Sequence, residues 1–284
     1  MKFAFFGTPE IAVTALDEMA AFGLSPSLIV TNPDAPVGRK QLITPPPTKV
    51  WACTHDIPVF QPLTLKNRDE LLPLTSEEWD FFVVFAYGKL IPEWLIELPK
   101  HKTINAHPSL LPKLRGASPI RSTLLSDLSA CGVTIMFMDK ELDHGPILYQ
   151  QPVELYDHPI PGRELDRILS LIAGDLLVHV MRELVAGTLT ATPQNHAAAT
   201  FCTKITKDMA QLPLDPYHLP TGETARALYQ KICAFDGWPE AFFIHNGMRF
   251  KIKSATLTEN GQLHIERIVP EGKNETDFKS YFKV

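Results

Sequence analysis

Asp80-Phe-Phe-Val-Val-Phe85 is apolar at every position after its first residue. A strand with one face in water would alternate, so this run predicts a strand buried on both faces, as in a parallel sheet covered by helices. Lys2-Phe-Ala-Phe-Phe6 and Leu28-Ile-Val-Thr31 repeat the signal. Between them, Ile11, Ala15, Leu16 and Met19 recur at helical spacing, in a helix predicted to run from Pro9 to about Phe22 with Thr8 as its cap. Together they form a βαβ unit. Gly7 stands alone where a dinucleotide fingerprint needs three glycines, which excludes NAD and FAD.

The alternation continues along the chain. Thr48–His55 reads as a helix, Ile57–Phe60 as a short strand and Leu63–Leu74 as a helix. Helices are also expected over Ile91–Leu98, Ala117–Ser129 and Arg163–Ala186, and strands over Lys102–Asn105, Val133–Met138 and Ile147–Val153. The result is an α/β fold with a mostly parallel sheet. Asn32–Pro47 interrupts it with five prolines and the pair Arg39-Lys40, and reads as a long irregular loop. From Thr188 to about Pro220 periodicity fades, as in a linker. A helix over Thr224–Phe235 follows, then Ala241–His245, an Asn246-Gly247 turn, Met248–Leu257 and Gln262–Val269. Asn-Gly between apolar runs signals a hairpin, so the C-terminal part is expected to be a small β domain of barrel type.

Composition bounds the function. Of 284 residues, 45% are hydrophobic and 21% charged, ordinary for a globular protein. Cys53, Cys131, Cys202 and Cys233 are scattered without a C-x-x-C pair, so reduced thiols are expected, with neither a zinc site nor disulfides. No signal peptide is visible and no apolar run can span a bilayer, so the expected location is cytoplasmic. Net charge is −5, yet 11 of the 27 basic and only 10 of the 32 acidic residues fall in 201–284. A phosphate-bearing partner is therefore permitted there.

The chemistry concentrates where the strand from Lys102 ends in Asn105-Ala106-His107. Side chains two apart on a strand share a face, and ligands of open α/β sheets bind at the carboxyl edge. Ser109 lacks the context of a nucleophile elbow. Two polar donors at a strand tip suit stabilisation of an oxyanion formed when a nucleophile adds to a carbonyl, and His107 could also move the proton released. Its carboxylate partner is expected to be Asp143, beside the sharp turn at Gly145, with Asp139 and Glu141 as competitors.

Asn105-Ala-His-Pro-Ser-Leu-Leu-Pro112 with Arg115-Gly-Ala-Ser-Pro-Ile120 resembles the signature of the formyltransferases that use 10-formyltetrahydrofolate. Val133-Thr-Ile-Met-Phe-Met138 followed by Leu142-Asp143-His-Gly145 resembles their second signature. The resemblance implies Asn105, His107 and Asp143 as the catalytic trio, with Asp143 holding His107 and favouring its charged form. It implies a folate site at Ser109, Leu110, Leu111 and Pro112 and along Phe85, Tyr87, Gly88 and Ile91, although core packing explains Phe85, Tyr87 and Ile91 equally well. It implies 10-formyltetrahydrofolate as donor and no metal.

Within that superfamily, Phe6-Gly-Thr-Pro9, Asn32-Pro-Asp-Ala-Pro-Val-Gly-Arg39, Pro45–Val50, Pro58–Pro62 and Ala234-Phe-Asp-Gly-Trp-Pro239 are similar to the branch that formylates methionyl initiator tRNA. Two departures stand out: the stretch after Trp238-Pro239 is shorter than usual there, and Lys40-Gln41 carries less charge. The branch implies a Rossmann-like catalytic domain (1–188), a linker (189–205) and an OB-like tRNA-binding domain (206–284). It also implies a monomer contacting tRNA through Arg39 and Lys40. Independently, Arg249, Lys251 and Lys253 alternate with Phe250 and Ile252, giving three cations on one strand face, as phosphate contact or a solvated edge would need. The nearest rival is an N-formyltransferase acting on a nucleotide-linked amino sugar, which would share the trio and the folate site. A hydrolase of 10-formyltetrahydrofolate and a non-enzymatic RNA-binding module are further rivals. The module would leave the trio unexplained.

Overall fold

Phe5 lies opposite Ile29 on one side and Val83 on the other, in parallel register with both, so the all-apolar runs occupy the middle of a sheet. The computed structural model describes every residue except Arg39 and Tyr156–Pro159. Its elements in chain order begin with β1 (Phe3–Phe6), α1 (Glu10–Ala21), β2 (Leu28–Val30), β3 (Ala35–Val37), β4 (Leu42–Thr44), α2 (Pro47–Thr54) and β5 (Val59–Phe60). Then come α3 (Leu72–Thr75), β6 (Phe81–Val84), α4 (Glu93–Ile96), β7 (Thr103–His107), β8 (Arg115–Gly116), α5 (Pro119–Ser126), β9 (Gly132–Phe137) and β10 (Ile147–Pro152). The last are α6 (Gly162–Ala186), β11 (Phe201–Cys202), α7 (Gly222–Ala234), β12 (Phe242–His245), β13 (Met248–Leu257), β14 (Leu263–Pro270), β15 (Thr276–Asp277) and α8 (Phe278–Phe282).

Two compact units result. The first comprises Met1–Ala117, Gly132–Val153 and Arg167–Phe201; the second comprises Ser118–Cys131, Glu154–Asp166 and Cys202–Val284. In the first unit, seven strands are ordered β10-β9-β7-β6-β1-β2-β5. The five from β7 to β5 are parallel, while β9 runs antiparallel to both β7 and β10. Ala4, Phe6, Phe82 and Val84 point to one face and pack with Leu71, Leu74, Trp79, Leu95 and Ile96. Phe3, Phe5, Phe81 and Val83, one position out of phase, are fully buried on the other. Helix α1 buries Ala12, Ala15, Leu16 and Met19. It approaches α6 so closely that a Cβ on Gly174 would lie 2.6 Å from the Ala15 carbonyl oxygen. Because the chain goes from β1 outward to β2 and β5 and returns to β6, the order reverses beside β1. That reversal opens the carboxyl edge of the sheet to a ligand.

In the second unit, β12 to β15 form a four-stranded antiparallel, barrel-like sheet. Asn246 and Gly247 both have positive φ (50° and 74°), the conformation of a two-residue type I′ hairpin. The register of β13 slips between Ile252 and Ala255, which bends the sheet around its core. Phe243 stacks on Phe250 with centroids 5.1 Å apart, and Phe278 and Phe282 close over them.

Several local expectations are corrected. The N-cap of α1 is Pro9, not Thr8, whose hydroxyl instead meets Asn32 Nδ2 and the Tyr87 carbonyl. The proline-rich stretch is an antiparallel hairpin of β3 and β4, with Pro36 tolerated because both strands are edges. The helix expected over 63–74 is reduced to a 3₁₀ turn at Arg68–Glu70 and the single turn α3. The Asn67 side chain caps the former, and Pro73 can enter only at the start of the latter. The 91–98 helix is one turn starting after Pro92, and the 117–129 helix stops at Ser126, where Asp127 caps a new 3₁₀ turn. All four cysteines are free, and burial pushes the Cys131 and Cys233 thiols up to about 11. Among the described residues, no helix is long and apolar enough to cross a membrane.

Phe243 is fully buried at the centre of the aromatic cluster. Phe243→Ala is expected to cost about 3–5 kcal/mol of stability, read as a lowered urea midpoint for the second unit.

Candidate active site

β7 carries the site because it lies between β6 and β9, with Asn105 opposite Val84 on one side and Met136 on the other. Asn105 and His107 share a face and are 8% and 4% exposed. His107 Nε2 donates to the Leu114 carbonyl oxygen at 3.0 Å. His107 Nδ1 faces Asp143 Oδ1 at 3.5 Å, an ion-pair rather than a hydrogen-bond distance. The Leu114 carbonyl can only accept, so Nε2 carries a hydrogen and Nδ1 is the nitrogen that faces the carboxylate. The Gly116 backbone N–H donates to the other Asp143 oxygen at 2.8 Å. The Asn105 carboxamide has no hydrogen-bond partner among the described residues.

Backbone strain accompanies this arrangement. Leu114 and Asp143 have φ of 56° and 49°, a region that residues with a side chain seldom occupy. Gly145 is needed for space rather than for φ: a Cβ there would lie 2.0 Å from the Phe137 carbonyl oxygen. The competing carboxylates face elsewhere. Asp139 accepts from His144 Nδ1 at 2.7 Å, and Glu141 lies 3.8 Å from His144 Nε2. Of the three candidates, Asp143 is the one brought to His107.

The Ser109–Pro112 segment is held by its own bonds. Ser109 Oγ donates to Lys113 O, and Thr134 Oγ1 donates to Ser109 O at 2.6 Å while accepting from Leu111 N. Gln150 Nε2 donates to Leu111 O at 2.8 Å, and Thr200 N donates to Pro112 O. Ser109 and Leu111 are buried, while Leu110 and Pro112 are half-buried. Along the other expected wall, Phe85, Tyr87 and Ile91 are all buried, and only Gly88 is exposed. The Tyr87 ring packs edge-on against Phe6; its hydroxyl has no partner among the described residues, and burial pushes it up to about 12.

Of the expected RNA contacts, Arg39 lies outside the described residues, and Lys40 is exposed in the β3–β4 turn. On β13, Phe250 and Ile252 are buried and the cations face outward, but these cations are not free. Lys251 and Lys253 both ion-pair with Glu240, and Arg249 lies 4.0 Å from Glu271 and over the Phe242 ring. Burial alone would raise the Glu240 carboxyl, yet hydrogen bonds from Lys251 and Lys253 outweigh it and hold the group below its ordinary value.

Arg115 and Gln194 carry no role in the sequence reading, although Arg115 stands inside a recognised motif. Both are buried, and Gln194 Oε1 accepts from Arg115 Nε and Nη2 at 3.1 and 2.6 Å. Gln194 comes from the stretch that reads as linker. Nothing in that polar, aperiodic segment signals a buried partner.

A strand tip with an unpartnered carboxamide, an imidazole between two acceptors and a carboxylate behind it, on a Rossmann-like sheet, defines a group transferase acting at a carbonyl. The family model described as formyl transferase matches residues 1–170. A methionyl-tRNA formyltransferase of Listeria monocytogenes is 37% identical over 91% of this chain and 80% of its own length. One from Halalkalibacterium halodurans is 38% identical over 89% and 77%. Among solved structures, an N-formyltransferase from Helicobacter canadensis, in complex with folinic acid and dTDP-3-aminofucose, shares the fold with a TM-score of 0.65 at 18% identity, covering 95% of this chain and 100% of that one. The chain belongs to the methionyl-tRNA formyltransferase family.

Because Glu240 titrates low, its two ion pairs are intact above the usual glutamate value of about 4.3 and are lost as pH falls through the depressed one. At neutral pH, Glu240→Gln releases both lysines. It is expected to tighten tRNA binding and steepen log Kd against log salt by about one to two, at roughly 0.9 per added phosphate contact. An unchanged slope would overturn the expectation that the β13 cations meet phosphates.

Proposed function

We propose that this protein transfers the formyl group of 10-formyltetrahydrofolate to the α-amine of methionyl initiator tRNA, producing N-formylmethionyl-tRNA for translation initiation. The observation that carries the chemistry is the pairing of Asn105 with His107 on one strand face, with Asp143 behind the ring. The family membership carries the acceptor. Bound donor would supply a carbonyl carbon that exchanges its bond to the folate nitrogen for a bond to the amine. The site suits such a group, because the Asn105 carboxamide has no partner among the described residues and its N–H can meet a carbonyl oxygen.

In this reading Asn105 donates an N–H to the oxygen as it gains negative charge. His107 supplies the second donor. Its Nε2–H is committed to Leu114, whereas Nδ1–H, at 3.5 Å from Asp143, is not closed into a hydrogen bond and can be shared with the oxyanion. Asp143 orients the ring, and the proton leaving the amine passes by way of His107, Asp143 or water to the departing folate nitrogen. Leu110, Pro112 and Gly88 are the expected folate contacts with exposed surface. Ser109, Leu111, Phe85, Tyr87 and Ile91 shape the site from behind.

We assign catalysis to 1–188, where Arg39 and Lys40 would also meet tRNA phosphates, and further phosphate contact to 206–284 through Arg249, Lys251 and Lys253, with 189–205 joining the two. One chain holds the whole trio, so a monomer suffices. The substrate places the activity in the cytoplasm.

The test offers 10-formyltetrahydrofolate with either methionyl initiator tRNA or a nucleotide-linked amino sugar. Formyl is expected on the tRNA; formyl on the sugar alone would overturn the acceptor. Asn105→Ala, His107→Ala and Asp143→Asn should each lower kcat by roughly 10²–10³, the scale of a lost oxyanion donor, while tRNA binding persists. A variant with a near-normal rate would remove its residue from the mechanism.

A further inference from the structure

We propose that Gln194, aimed by Arg115, is a positioning residue that holds the Asp143 carboxylate against His107. This rests on the reading of Asp143 as part of the transfer site.

Gln194 Nε2 donates to two carbonyl oxygens of the Asp143 loop, Asp143 O at 3.0 Å and Gly145 O at 2.7 Å. Its Oε1 accepts both Arg115 donors. A guanidinium can only donate, so Arg115 dictates which end of the carboxamide faces it and turns both amide hydrogens toward the loop. Gln194 is 5% exposed and Arg115 4%, so water does not compete for these bonds. Among the described residues, Arg115 has no carboxylate partner. A buried guanidinium without a counter-ion is costly, and here its hydrogen bonds go to Gln194 and to His196 Nδ1, at 2.9 Å.

The bonds on either side of Arg115 connect this network to the site. The preceding carbonyl, of Leu114, accepts from His107, and the following N–H, of Gly116, donates to Asp143. One side chain, Arg115, and the backbone around it therefore set both members of the pair. Asp143 itself sits at φ 49°, a conformation that reverts unless its neighbours hold it. The segment carrying Gln194 grips the loop at further points: Thr192 exchanges two backbone hydrogen bonds with Ile147 at 2.8 Å each, and the His196 ring stacks on His144, 4.0 Å between centroids. A buried structural residue would also be well bonded. These bonds differ in ending on the carbonyl of Asp143 itself.

The experiment uses the full chain with 10-formyltetrahydrofolate and methionyl-tRNA, assayed well below the measured melting temperature of each variant. Gln194→Ala is expected to lower kcat about 10- to 100-fold with both KM values unchanged, as a slight misplacement of a catalytic group does. Gln194→Glu keeps the partner of Arg115 but loses both donors, and should be equally slow although folded. Added to Asp143→Asn, either change should cost nothing further, because there is no carboxylate left to place. The proposal is overturned if Gln194→Glu keeps kcat within about twofold of the parent, or if its loss multiplies fully with that of Asp143→Asn. If Asp143→Asn alone is fully active, the reading of the site fails, and the proposal with it.

Discussion

The three-residue segment Leu114-Arg115-Gly116 makes the site a unit. Its first carbonyl orders one nitrogen of His107, its last N–H orders one oxygen of Asp143, and the side chain between them reaches Gln194. Without it, β7 would still present a carboxamide and an imidazole, but the imidazole would lack a fixed orientation and the carboxylate a fixed place. An enzyme gains from this arrangement because donors already aimed at a developing charge need no reorganisation when it forms. Asn105 has no partner among the described residues, yet its carboxamide is not among the fully buried polar atoms that lack one, so it stays open to a ligand. The strand that carries it is fixed because β7 is bonded on both sides, to β6 and β9.

The second unit follows a different logic. Its aromatic core needs no charge, and its outward cations are balanced by acids, with Glu240 taking two lysines and Glu271 lying close to Arg249. A surface of this kind can meet phosphates by exchanging partners. Affinity won that way depends on salt and carries little sequence information.

Much of the fold was legible in the residues. The apolar runs around Phe5 and around Val83 announced a sheet buried on both faces, and Asn246-Gly247 announced its hairpin, because burial and positive φ leave local chemical marks. What failed to show was local structure set by competition. Thr8 is a good cap whose hydroxyl is used by Asn32, and the proline-rich stretch folds into a hairpin whose edges tolerate Pro36. In the site, Asn105 and His107 were visible because period two places them together. Asp143 was the favoured carboxylate because of the turn at Gly145. Asp139 and Glu141 on the same short loop stayed in competition, since only the path of the loop turns one of them toward the ring.

By itself, the sequence determined the sheet, the strand tip with its two donors and the alternation of cations on β13, all of which follow from periodicity along a single segment. The tertiary structure alone decided which carboxylate meets His107, that Glu240 neutralises two of the three cations, and that Gln194 closes on the Asp143 loop. Each of these joins residues distant along the chain or divided by a turn. No period relates such partners, and only the folded backbone brings them to hydrogen-bond distance.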